Sequence, residues 1–400
     1  MTKLTISAGV LLAATGALAR AAAPVALAKA REYPRAGISL AIPKGFEYRP
    51  LWAPYDVMSA AVTEDDRATQ GVTLTAFPVA GKGVADEFAD AKFAELKRNL
   101  AIQNLKPIKK TTMPVAGVTG AARLMSYTFR GEKTVAAQVF FFREIKNSPI
   151  RICYLLTVQS SSADTQAQLL PTLGAVIKSV QLAPVRHPSV GGTCELGEPV
   201  EDPEGLCSVR RPREWYAIRS AVGAEMGQVD YLMGGRPMPS VRLIVAPVSS
   251  STATSEACSK KYLAMANAVA TQRKQTCKLV SEGPVQLGTL PAYQFVMVQS
   301  PQKAAGARAG NALGSVVLVQ RTACVIGEAG AGPKAYMLVL TVRGEAAKAA
   351  AALMNTIAGS FELRAASTPP ATAPATQPAT APATRPAATR PAGKAAAKPE

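Results

Sequence analysis

His187 is the only histidine in 400 residues, and it stands beside Pro188 in the stretch that joins two similar halves of the chain. A Ser-His-Asp or Cys-His site would have to rest on this one imidazole, and no G-x-S-x-G elbow is present. Histidine-based zinc chemistry lacks the ligands it needs. His187 therefore reads as an exposed connector residue. A hydrolase of the Ser-Lys type stays open through Ser300-Pro301-Gln302-Lys303, an S-x-x-K match that falls in a loop where a catalytic one opens a helix. The Gly- and Ala-rich run from Gly306 to Gly314 lacks the G-K-[ST] ending of a phosphate cradle and reads as a long hairpin loop. No catalytic, cofactor-binding or metal-ligating residue is assigned on this basis, and no cofactor is expected.

Six cysteines remain. In an exported chain they point first to disulfides. Cys194 and Cys207 flank a short loop rich in Pro and Gly, and they are the expected disulfide pair. Cys258 and Cys277 are 19 residues apart. A helix across that interval would separate them by roughly 28 Å. Cys324 is left to pair with either or with neither. Cys153, mid-strand in an apolar run, reads as a buried thiol, and the absence of a C-x-x-C argues against a redox role. The loop from Cys194 to Cys207 also holds Glu195, Glu198, Glu201, Asp202 and Glu204. Their spacing matches no EF-hand, so a solvated acidic connector is favoured over calcium.

The formal charge is +18, and its distribution matters more than its size. Segments 31–183 and 184–364 each carry 19 basic and 13 acidic residues, +6 apiece. The clusters Lys106, Lys109, Lys110 and Arg210, Arg211, Arg213 are not interleaved with aromatics as a nucleic-acid stacking platform is. Both read as solvated faces, with weak, salt-dependent attraction to anionic surfaces and no nucleic-acid partner.

Elements must position whatever these residues do. Lys3, the apolar stretch Ile6 to Leu18 and A-x-A patterns from Ala17 to Ala30 read as a secretory signal over 1–30, cut between 19 and 30. No later apolar run reaches the ~18 residues of a membrane span. Strands are expected at Ile38–Ile42, Val57–Val62, Val72–Val79, Ala122–Phe129, Thr134–Glu144 and Ile150–Val158, with helices over Val84–Asn104 and about Ala163–Lys178. The second half repeats this order. Leu155-Leu156-Thr157-Val158 is echoed by Val339-Leu340-Thr341-Val342, and Ser179-Val180-Gln181-Leu182 by Ser360-Phe361-Glu362-Leu363. The domain reading is signal 1–30, repeat 31–183, linker 184–204, repeat 205–364, and a disordered, basic Ala/Thr/Pro-rich tail 365–400.

Pro43, Gly45, Phe46 and Ser179 in one copy, with Pro212, Trp215, Gly288, Pro291, Ala292, Ser360 and Phe361 in the other, carry a resemblance to the PsbP-like family. That family includes an extrinsic subunit of photosystem II, a Ran-binding nuclear import factor and bacterial exported proteins. The resemblance implies an α/β (α+β) fold: two tandem α-β-α sandwich domains, each a mainly antiparallel sheet flanked by helices. It also implies binding or assembly more than catalysis, and no functional residue carries over from it. The expectation is a periplasmic or extracellular, non-catalytic binding or accessory protein whose partner is a protein or envelope component. The alternatives are a histidine-free Ser/Lys envelope hydrolase and a cell-surface structural protein held by its basic tail.

Overall fold

Apolar and polar residues alternate along Val72-Thr73-Leu74-Thr75-Ala76, and the two-residue period of an extended chain sends Val72, Leu74 and Ala76 to one buried face. Patterns of this kind dominate the computed structural model. It describes residues 24–364 apart from 65–66, 82, 130, 147, 162–165, 189–193, 222, 250–253, 302–314, 326–331 and 345–346.

In the first half the elements are β1 (Arg31–Tyr33), β2 (Ile38–Leu40), β3 (Glu47–Tyr48), β4 (Asp56–Glu64), β5 (Arg67–Ala80), α1 (Ala85–Arg98), β6 (Ile102–Val115), β7 (Val118–Phe129), β8 (Glu132–Glu144), β9 (Ile150–Ser160), α2 (Leu169–Ser179) and β10 (Gln181–Leu182). The second half holds β11 (Leu196–Glu201), β12 (Cys207–Pro212), β13 (Tyr216–Ser220), β14 (Gly223–Asp230), β15 (Arg236–Pro247), α3 (Ser255–Gln272), β16 (Gln275–Leu287), β17 (Leu290–Pro301), β18 (Val316–Val325), β19 (Lys334–Arg343), α4 (Ala347–Ala358) and β20 (Glu362–Leu363). Each half forms a seven-stranded sheet, in the orders β3-β4-β5-β9-β8-β7-β6 and β13-β14-β15-β19-β18-β17-β16. Each adds a three-stranded sheet, β1-β2-β10 and β11-β12-β20. The two strand orders are the same, so the halves share one topology.

The repeated serine motif has the same work in both halves. Ser179 Oγ donates to Val176 O at 2.7 Å and accepts from Ala41 N at 2.9 Å. Ser360 Oγ donates to Ile357 O at 2.6 Å and accepts from Arg210 N at 2.9 Å. Each hydroxyl closes a helix end and ties it to the strand region that opens its half, satisfying groups the helix terminus would leave unpaired.

The fold class differs from the α/β expectation. The protein is mainly β, built on two seven-stranded antiparallel sheets, and is not a pair of helix-flanked α-β-α sandwiches. Burial explains why. On one face of the first sheet α2 shares the cover with β2, whose Ile38 and Leu40 enter the same core. On the other face α1 buries only Ala89, and it meets the sheet through a patch around Phe77, Phe88 and Phe140. In the second half α3 buries only Ser259 and Ala270. Single helices on patches of a long-stranded sheet do not make helical layers.

Two expected helices are also shorter. The one read through Asn104 stops at Arg98, where Asn99 Oδ1 accepts from Ala101 N at 3.0 Å and turns the chain into β6. The helix read from Ala163 begins at Leu169, and 162–165 lie outside the described residues. The N-terminal segment also meets the fold. Ala28 N donates to Ile42 O at 2.8 Å and Lys44 N to Ala26 O at 2.9 Å, so part of the expected 1–30 signal segment pairs with the fold.

Candidate functional site

The last residue of β14, Asp230, opens a 3₁₀ turn over Tyr231–Met233, and its Oδ1 accepts from Leu232 N at 3.1 Å. Gly234 closes that turn at φ +69°, in the left-handed region that glycine enters without penalty. The turn places the two neighbouring side chains in opposite roles. Tyr231 plunges into the first half and donates its hydroxyl to Ala76 O at 3.1 Å, and Tyr216 and Val229 join the same core. Asp230, 1% exposed, turns its Oδ2 to His187 Nδ1 at 2.7 Å.

Arg343, the last residue of β19, lies against the same imidazole and contacts both ring nitrogens. The Asp230 carboxylate can only accept and the Arg343 guanidinium can only donate, so the imidazole stands between an acceptor and a donor. These groups line a cleft of about 290 Å³ with Pro188, Met238, Pro239 and Gly344. It sits where the connector from the first half crosses the ends of β14 and β19. His187 is thus not a bare connector residue: its side chain is 44% exposed and held between an acid and a base. A lone histidine beside proline gives no sign of this in the sequence, because its partners lie 43 and 156 residues away.

A second contact between the halves is built on Arg211. Expected on a solvated basic face, it is 2% exposed and donates Nη1 to Leu51 O at 2.6 Å. Its guanidinium lies over the Trp52 ring at 4.8 Å, with Glu198 3.8 Å away. Burial pulls its pKa down from the ordinary arginine value, against the opposing effect of Glu198. Trp52 itself is 58% exposed, which leaves an aromatic face open at the junction. Arg210 donates to Gly197 O and Arg213 pairs with Glu195 at 2.7 Å. On β6, Lys110 pairs with Asp90 at 2.7 Å, and together with Arg123 it holds that carboxyl below its ordinary range.

The other residues singled out by type fall elsewhere. Cys194 and Cys207 are both free thiols, and the expected disulfide between them is corrected. In the β11–β12 ladder Leu196 pairs with Pro212 and Glu201 with Ser208, so Cys194 lies at the open end and Cys207 at the turn. At about 3.3 Å per residue that separation is far beyond disulfide reach. The acidic loop is likewise no bare connector. Asp202 is buried and accepts from Glu204 N and Cys207 N, and Glu204 pairs with Lys334 at 3.0 Å. Ser300, next to last in β17, has its Oγ 2.9 Å from Ser315 Oγ, and Lys303 lies outside the described residues, as does 306–314. Cys258 and Cys324 are brought together across α3 and β18. Ser255, one turn before Cys258, accepts from Cys324 N at 3.0 Å, and burial followed by the neighbouring Cys258 pushes the Cys324 thiol up.

No family model matches the chain, and no curated protein matches it. Among solved structures, LpqN of Mycobacterium tuberculosis, involved in cell envelope biogenesis, is similar at 14% identity and a TM-score of 0.30, over 37% of this chain and 83% of its own. Cyanobacterial PsbP (CyanoP) from Synechocystis is similar at 12% identity and a TM-score of 0.30, over 43% of this chain and 95% of its own. The T6SS immunity protein TplEi from Pseudomonas aeruginosa is similar at 13% identity and a TM-score of 0.22, over 84% and 96%. Among the described residues no helix is long and apolar enough to cross a membrane.

Proposed function

We propose that the chain is an exported, non-catalytic binding or accessory protein of the cell envelope, and that its binding site is the cleft where the connector crosses the second sheet. The observation that carries this reading is the make-up of the cleft. Its one imidazole already bridges Asp230 and Arg343, and the other described residues that line it are Pro188, Met238, Pro239 and Gly344, none of which carries a hydroxyl or thiol. Charged and apolar groups without a nucleophile are the equipment of a binder. The signal-like N-terminus supports export. Two copies of one topology, joined by buried polar contacts, make a rigid frame for such a site.

The test has two readings. Residues 1–30 fused to alkaline phosphatase, which is active only outside the cytoplasm, are expected to yield active enzyme. Chemical cross-linking of the full chain in intact cells is expected to recover an envelope component. A cytoplasmic full chain, or substrate turnover that His187→Ala abolishes, would overturn the reading.

A further inference from the structure

The cleft's charges are arranged for one class of ligand. Asp230 is spent inward: one carboxylate oxygen takes Leu232 N and the other takes the imidazole, and 1% of the side chain is exposed. Arg343, in contrast, lines the cleft and engages both ring nitrogens through its Nη1. Arg186, one residue before His187, and Arg236, paired across from Asp230 on β15, are both exposed. Met238, Pro239 and Pro188 supply apolar wall. The volume of about 290 Å³ lies at the small end of ligand pockets, which run from roughly 300 to 1,000 Å³.

We propose that this cleft binds a small monocarboxylate with an apolar body, its carboxylate paired to Arg343 and its body against Met238 and Pro239. A guanidinium presents parallel donors that match a carboxylate's two oxygens, and an apolar wall favours a ligand with something to bury. The proposal rests on the binding reading above and adds the ligand class to it.

The chain carries its own reporter, because His187 is the only histidine and its ring forms part of the cleft. In proton NMR of the full chain at fixed pH, sodium benzoate is the probe and benzamide its uncharged isostere. Benzoate is expected to move the His187 ring resonance saturably at millimolar concentration, while benzamide moves it at least tenfold less effectively. Arg343→Gln is expected to abolish the response, and Arg186→Gln to weaken it only a few-fold. No response to benzoate, or an equal response to benzamide, overturns the proposal. Both are read on the unaltered chain, so the result does not depend on the variants folding. A silent imidazole in a protein that still cross-links to an envelope component sinks the ligand class alone. A saturable benzoate response in a chain found in the cytoplasm supports the ligand class and sinks the envelope reading.

Discussion

Cys153 and the Cys258–Cys324 pair show how far a thiol's surroundings decide its chemistry. Cys153 is fully buried beneath α1, and burial pushes its thiol up to about 12, with Lys92 and Arg151 opposing. The thiolate is the reactive form, so at pH 8 the folded protein holds very little of it at this position. Alkylation with iodoacetamide is expected to spare Cys153 until denaturant is added. Labelling of Cys153 in the native state at the rate of a free peptide thiol would contradict the burial. Cys258 and Cys324 stand on facing elements, whereas Cys194 and Cys207 stand at opposite ends of a hairpin. Exposure to an oxidising thiol-disulfide couple, which takes up the two electrons and two protons, is expected to join Cys258 to Cys324 before any other pair. Peptide mapping without reduction decides it, and a 194–207 link appearing first would refute the register of β11 on β12.

At the scale of elements, the turn between β16 and β17 depends on one residue without a side chain. Gly288 adopts φ +57° and donates its N–H to Ala358 O at 2.8 Å, and a Cβ there would stand 2.1 Å from Phe361 O. Backbone cannot yield as a side-chain tip does. Gly288→Ala is therefore expected to cost about 2 kcal/mol or more and to lower the melting temperature by several degrees. An unchanged melting temperature would show that the turn and the end of α4 do not meet. The N-terminal segment offers a second test. Leu27 packs on the first core and forms a bridge with Pro43, so a cut after Ala28 or Ala30 would strip contacts from the sheet. N-terminal sequencing of the exported protein is expected to find a start at or before Pro24. A start beyond Ala28 would mean that the pairing of 26–28 is absent from the mature protein.

On the scale of the whole molecule, the halves are not two beads on a string. Tyr216, Val229 and Tyr231 belong to the second half by sequence and to the first half's core by packing, and Leu51 O accepts from both Arg211 and Ala217 N. Contacts of this kind couple unfolding. Calorimetry of the full chain is expected to show one cooperative transition. Tyr231→Phe, which leaves Ala76 O without its buried donor, is expected to lower that transition as a unit by about 1 to 3 kcal/mol. Two resolved transitions, or a shift in only one of them, would show that the halves fold independently.

The pattern of apolar positions was enough to read most strands of each half and the matched order of elements, because the two-residue period and the closing Ser-x-x-Leu are local properties. The edge strands β6 and β16 escaped it. Lys106, Pro107, Lys109 and Lys110 on β6, and Lys278 and Pro284 on β16, are the residues that keep an open edge from pairing with another chain, and they erase the alternation by which a strand is recognised. The fold class escaped it too, because whether a helix forms a layer or covers a patch depends on how many of its residues the sheet buries. The candidate site was hidden most completely. His187 acquires a role only when Asp230 and Arg343 arrive from strand ends far along the chain, and Arg211 is buried only because the loop at Leu51 and Trp52 closes over it. Composition and spacing decide which local elements form. Long-range closure alone decides which lone charges are paired.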